Sequence, residues 1–255
     1  MPRMMAVMLL SGLATLHTVQ AQAPPERSDT VVTRADDFDR DPHATALVAA
    51  NQLRLPDKVI KELQRSNTSL RHGDLRGSTE HLQRAVALEP DLALTHNALG
   101  SRFAELKQFD NALAEFNRAL DLNPRYRLAM DNAAVVLCLQ FRFAEAEPFA
   151  RRALQIEPQS HSSQYLLGGI LVQQKQYSDE ATALLAKAAA QYPRAWLFLA
   201  KASLGRGNNE QAAEELKQYL RCPGAIQIKV AQNALAMLEA QQQAEKNSID
   251  NFDPG

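Results

Sequence analysis

Arg118-Ala119-Leu120-Asp121-Leu122-Asn123-Pro124 reads as the last turn or so of a helix and the residue that stops it. Proline has no amide hydrogen to donate and biases the residue before it away from the α conformation, so a helix reaching Leu122 ends there. The same phrase stands 34 residues earlier as Arg84-Ala85-Val86-Ala87-Leu88-Glu89-Pro90 and 34 residues later as Arg152-Ala153-Leu154-Gln155-Ile156-Glu157-Pro158. With Pro193 the stops are spaced 34, 34 and 35 residues apart, which makes the middle of the chain a repeat array.

Each interval holds two amphipathic helices. Between Pro90 and Pro124, Leu92, Leu99, Phe103 and Leu106 recur at helical spacing, and after Lys107-Gln108 so do Phe109, Ala112, Leu113, Phe116 and Leu120. Two such helices joined by a tight turn make an αα-hairpin. Small residues return at fixed places: Gly100, Ala112 and Ala119, then Ala134, Ala146 and Ala153, then Gly168, Ala181 and Ala188. They let paired helices approach closely while larger neighbours fill the remaining space. Composition agrees with an all-α chain, since its 255 residues include 41 Ala and 35 Leu but only 10 Gly. The 28 Lys+Arg against 29 Asp+Glu give a net charge of −1, without the basic excess that nucleic-acid binding requires.

The pattern His96-x2-Leu99-Gly100-x2-Phe103, Ala112-x3-Phe116, Ala119, Pro124 closely resembles the tetratricopeptide repeat, whose unit carries an aromatic, Leu-Gly, an aromatic, Ala-x3-Phe, Ala and Pro. The third unit matches at Met130, Ala133-Ala134, Leu137, Ala146, Ala150, Ala153 and Pro158. The fourth matches at Gln164, Leu167-Gly168, Leu171, Ala181, Leu185, Ala188 and Pro193, one residue late because of a longer turn near Tyr177-Ser178-Asp179-Glu180. A fifth opens at Trp196 with Leu199-Ala200, Gly207, Ala212 and Leu216, from which Ser203 and Tyr219 depart. The first is the most divergent: Glu62 and Arg65 stand where apolar residues belong, unless the register slides by one to Leu63, Ser66-Asn67 and Leu70.

The resemblance implies an all-α, right-handed α-solenoid of about five helix pairs over residues 57–224. Stacked repeats expose an apolar end, and residues 225–246, with Ile226, Val230, Ala234, Met237 and Leu238 on one face, are expected to cap it. Residues 247–255 read as a flexible tail. At the other end, residues 1–23 combine Arg3, an apolar run from Met4 to Leu16 and Ala21-Gln22-Ala23, the pattern of a cleaved secretory signal. The expectation is an exported protein, periplasmic or secreted, processed near Ala23 and without a membrane span. Residues 24–56 divide into an acidic linker and, at 44–55, a candidate N-terminal cap, with Asp57 as the N-cap of the first helix.

The sequence carries no catalytic, cofactor-binding or metal-binding motif. The histidines lack ligand spacing, and nucleophile elbows, phosphate loops and dinucleotide fingerprints are absent. His96 reads as a packing residue. The expectation is therefore a non-enzymatic scaffold without cofactors, whose partner is a protein or peptide. In the family resembled, the first helix of each repeat lines a concave groove. That carries Asn97 and Ser101, then Asp131 and Val135, then Tyr165 and Gly169 to partner-binding positions. A neutral groove with one acid suits an apolar or weakly basic extended peptide, or a partner helix. The alternative is a structural protein that self-associates through its repeat ends or capping helix.

Overall fold

The computed structural model describes residues 55–223 and 225–250, so the signal, the acidic linker, most of the N-terminal cap and the last five residues lie outside the described residues. The described residues form helices and no strands. Five helix pairs follow one another: α1 (Asp57–Arg71) with α2 (Leu75–Leu88), α3 (Ala93–Glu105) with α4 (Phe109–Leu122), and α5 (Arg127–Leu139) with α6 (Phe143–Ile156). Then come α7 (His161–Gln173) with α8 (Asp179–Ala188), α9 (Ala195–Arg206) with α10 (Asn209–Arg221), and a last helix α11 (Ile228–Asp250). The fold class is all-α, an α-solenoid of helix pairs as anticipated. The chain divides between Ser163 and Gln164 into two compact units.

In the first unit the repeated prolines act as read: α2, α4 and α6 end at Leu88, Leu122 and Ile156, and Glu89, Asn123 and Glu157 occupy their C-caps. Within each pair the small residues bring the helices together. A methyl group built on Gly100 would lie 2.6 Å from the Phe116 ring, so the ring packs directly on the α3 backbone. Ala85, Ala119 and Ala153, one per second helix, are wholly buried. Asp74 caps α2 by accepting from the Gly77 amide at 2.9 Å. Helix α1 is capped otherwise than expected: Pro56 holds the N-cap and Asp57 is the first helical residue, where its charge favours the helix dipole.

The divergent first pair keeps the unshifted 34-residue register. Ser66 and Ser78 occupy the places of Gly100 and Ala112 and hydrogen-bond to each other at 2.9 Å, both buried. Glu62, at the place of His96, is met by His81 at 2.8 Å and by Arg65 at 2.5 Å. Polar pairs thus replace the apolar contacts, which is possible because each buried group finds a partner.

In the second unit, a methyl on Gly168 would lie 2.7 Å from Leu185, repeating the Gly100 arrangement. Ser178 caps α8 and Asn208 caps α10, their side-chain oxygens accepting hydrogen bonds from the Ala181 and Gln211 backbone amides. The departures at Ser203 and Tyr219 have structural reasons. Ser203 is buried and bonds Glu215. Tyr219, buried at an alanine place, uses its hydroxyl to accept from the Ile226 amide at 2.9 Å and to donate to the Ile226 carbonyl, tying down the link to α11. Helix α11 then buries Ala231, Ala234 and Leu238 against Leu197, Ala200, Leu204, Ala212, Ala213 and Leu216. Its buried stripe differs from the face read in the sequence: Ile226 precedes the helix and is exposed, and Met237 is half-buried at the margin.

The tight turn inside each pair needs one residue in the left-handed region, and it falls on Gly73, Lys107, Phe141, Lys175 and Gly207, with φ from 60° to 88°. Three of the five are not glycine, so these turns are held by their helices rather than by local preference.

Candidate functional site

The six residues assigned to partner binding all lie on first helices, and the two units present them differently. In the first unit, Asn97, Ser101, Asp131 and Val135 are each less than a tenth exposed. The Asn97 amide oxygen accepts from Asn132 at 3.0 Å, and the Ser101 hydroxyl donates to the Asn97 carbonyl at 3.0 Å. Asn97 also bonds the Tyr126 hydroxyl, a group that burial pushes up to about 12. The bonds from Asn132 and Tyr126 to Asn97 hold α3 against α5 and its N-cap.

Asp131 is the centre of a larger network. Arg127, one turn before it, donates to its carboxylate at 2.5 Å and also pairs with Glu157 at 2.6 Å. Ser163 donates to the same carboxylate at 3.0 Å, and Ser160 and Ser162 bond each other at 2.9 Å beside it. Burial pushes the Asp131 carboxyl up to about 6, against the opposing pull of Arg127 and Ser163. A second buried acid, Glu105, pairs with Arg102 at 2.6 Å and is raised by burial to about 7. The Arg127–Asp131 spacing of four was legible in the sequence. The serines were not, because they arrive from the next pair.

His96 does more than pack. Its Nδ1 lies 2.6 Å from the Glu115 carboxylate and its Nε2 lies 2.9 Å from the Pro90 carbonyl, so both ring nitrogens face acceptors. Among the described residues no three His, Cys, Asp or Glu side chains are grouped to hold a metal ion. No described helix is long and apolar enough to cross a membrane.

In the second unit, Tyr165 is half-buried at the centre of an aromatic group. Its ring stacks on Tyr192, with centroids 5.1 Å apart and planes at 14°, and meets Phe198 edge-on at 5.8 Å. Gly169, one turn further along α7, is buried, and a methyl group there would come within 3.3 Å of Phe198. At the place in α9 that answers to Ser101 stands Lys201, buried and donating to Gln173 of α7 at 2.7 Å. Sequence reading missed Tyr192, Phe198 and Lys201, because Pro193 and the short link after it obscure the register there.

Solved structures with this fold include PilW, described as a widely conserved type IV pilus biogenesis factor. It is 24% identical over 74% of this chain and 94% of its own, with a TM-score of 0.61. YrrB, described as having an unusual peptide-binding site, is 17% identical over 77% of this chain and 97% of its own, at 0.57. MamA from Desulfovibrio magneticus RS-1 is 20% identical over 65% of this chain and 94% of its own, at 0.58. At these identities the likeness shows the fold alone. No curated protein matches the chain. The tetratricopeptide repeat profile matches residues 63–127, 97–161 and 140–195, together just over half of the sequence, and the chain belongs to the tetratricopeptide repeat family.

Proposed function

We propose that this protein is a non-enzymatic scaffold that binds an extended peptide or a partner helix on the first-helix faces of its repeats, in a bacterial cell envelope. The family is generally one of interaction scaffolds, and YrrB is a member described as having a peptide-binding site. The observation that carries the reading is the Tyr165 group. A half-buried tyrosine held by stacking on Tyr192 and by the Phe198 edge is ordered before any partner arrives, so contact on it costs little side-chain entropy. Asn97, Ser101, Asp131 and Val135 act in this reading mainly by setting the spacing of α3 and α5. The envelope location rests on the signal-like residues 1–23, which lie outside the described residues.

The test is to crosslink the protein in a native envelope fraction, identify the captured partner and measure its affinity. Tyr165→Ala is expected to leave the helix content unchanged and to weaken binding by about 1–3 kcal/mol. Full affinity in this variant would overturn the reading. One observation favours self-association as the second reading: Ile226 and Ile228 are 39% and 46% exposed beside the start of α11. Sedimentation equilibrium decides it, since a monomer at all concentrations removes this reading.

A further inference from the structure

Burying a charge is costly unless an opposite charge or several hydrogen bonds compensate it. Six Asp, Glu, Lys and Arg side chains among the described residues are buried: Glu62, Arg102, Glu105, Asp131, Lys201 and Glu215. Five of them have an opposite charge acting on them. Glu62 has Arg65 and His81, Arg102 and Glu105 have each other, Asp131 has Arg127, and Glu215 has Arg206. Lys201 is the exception. It is 6% exposed, its hydrogen bond goes to the neutral amide oxygen of Gln173 at 2.7 Å, and the charge that acts on it is a second cation, Lys175. An ammonium carries three donors, and Gln173 uses one of them.

The position is as telling as the charge. Counting from Leu99-Gly100, Ala133-Ala134, Leu167-Gly168 and Leu199-Ala200, Lys201 stands where Ser101, Val135 and Gly169 stand in the preceding repeats, all buried on first helices, and alone among the four it brings a charge there. It shares α9 with Phe198, which meets Tyr165, and its partner Gln173 is two turns along α7 from Tyr165. An aromatic contact and an uncompensated cation therefore occupy one side of the second unit.

We propose that Lys201, oriented by Gln173 and reinforced by Lys175, receives a side-chain carboxylate of the protein partner, so that the segment bound at the fourth and fifth repeats is acidic. This rests on the scaffold reading and adds to it the sign of the partner's charge. It departs from the sequence expectation of an apolar or weakly basic partner, whose basic part rested on Asp131, because that charge is already spent on Arg127. A carboxylate would supply the missing counter-charge and occupy the unspent ammonium donors, and the same interaction excludes basic segments.

The experiment uses the full chain and three fluorescein-labelled hexapeptides: one alternating alanine and glutamate with an amidated C-terminus, its glutamine counterpart, also amidated, and the glutamine peptide with a free C-terminus. Anisotropy is expected to show the glutamate peptide binding roughly tenfold more tightly than the amidated glutamine peptide. Lys201→Gln, which keeps a polar side chain without the charge, should bring that ratio close to one, and Lys175→Gln should reduce it in part. Lys201→Met should raise the melting temperature, because it removes an uncompensated buried charge. A ratio of one in the unaltered protein, a ratio that survives Lys201→Gln, or a preference for the free C-terminus over the glutamate side chains would each overturn the proposal. So would a failure of the glutamate peptide to bind at millimolar concentration. These failures leave the scaffold reading intact as long as Tyr165→Ala weakens the captured partner; loss of that effect is the separate failure of the scaffold reading.

Discussion

His96 Nδ1 and Glu115 Oε2 meet at 2.6 Å between α3 and α4, and 34 residues earlier Glu62 Oε2 and His81 Nδ1 meet at 2.8 Å between α1 and α2. The two pairs use equivalent places with acid and base exchanged. The next pair carries Met130 and Phe149 there and needs no charge. The place therefore requires a complementary couple rather than a particular residue. His96→Glu alone sets two carboxylates together and is expected to cost about 2–3 kcal/mol in urea denaturation. Adding Glu115→His should restore most of it, leaving about 1 kcal/mol for the lost bond from His96 to the Pro90 carbonyl. A double exchange no more stable than the single would show that the pairs are not interchangeable.

Acidity should act on the first unit in two opposed ways. Glu105 is raised from its ordinary 4.5 to about 7, and Asp131 from 3.8 to about 6, both by burial. The folded chain thus holds these protons more tightly than the unfolded chain does. Their stabilising contribution is complete below the unfolded values and is lost as pH rises through the folded ones. Glu62 runs the other way: the hydrogen bond from His81 lowers it, so its contribution is present above 4.5 and lost as pH falls through the folded value. Urea midpoints are expected to peak near about pH 5 and to fall toward about pH 7.5. Glu105→Gln should flatten the fall, and an unchanged slope in that variant would remove Glu105 as its cause.

The helix stops, the small places and the pairing of helices were legible because each depends on residues close in the chain: a proline, an alanine one turn from a phenylalanine, a 34-residue interval. The first pair was harder to read. Its register is kept by Ser66 with Ser78 and Glu62 with His81, couples 12 and 19 residues apart whose polarity hides their burial. Tyr219 was illegible for a similar reason, since its space is made by the Ile226 backbone rather than by a facing helix. At the candidate site, periodicity places Tyr165 and Asp131 on first helices. It does not show that Ser163 of the next pair bonds Asp131, or that the one buried cation lacking a counter-charge among the described residues lies two repeats away in sequence.

The left-handed turns supply a stability test. Lys107 and Phe141 hold φ near 60°, where a β-carbon costs roughly 1 kcal/mol, while Gly73 serves the same turn in the first pair without that cost. Phe141 is half exposed but meets Phe143 edge-on at 6.1 Å, so its removal forfeits that contact and half a ring of burial. Lys107→Gly is expected to raise stability by about 0.5–1 kcal/mol, the gain being trimmed by the extra freedom glycine gives the unfolded chain, while Phe141→Gly should gain less because the ring's contact with Phe143 is lost. Gly73→Ala should lower it by about 1 kcal/mol, although nothing lies within 4 Å of the added methyl. Equal stability across all three variants would mean that the turns are not strained.

The two cysteines report on how tightly the helices are packed. Both are free thiols. Cys138, on α5, is buried and is pushed up to about 12, so it is neither reachable nor ionised at neutral pH. Cys222, half-buried after α10, donates its S–H to the Gln218 carbonyl at 3.2 Å and is also raised by burial, but it retains access to solvent. Iodoacetamide at about pH 8 is expected to label Cys222 slowly in the native protein and to reach Cys138 only when α5 opens, with both labelled in urea. Intact mass followed over time separates the two steps. The rate at Cys138 should then rise with urea in parallel with global unfolding, because α5 is packed on both α3 and α6 and has no cheap way to open alone. Native labelling of Cys138 as fast as Cys222 would show that α5 opens independently of its neighbours.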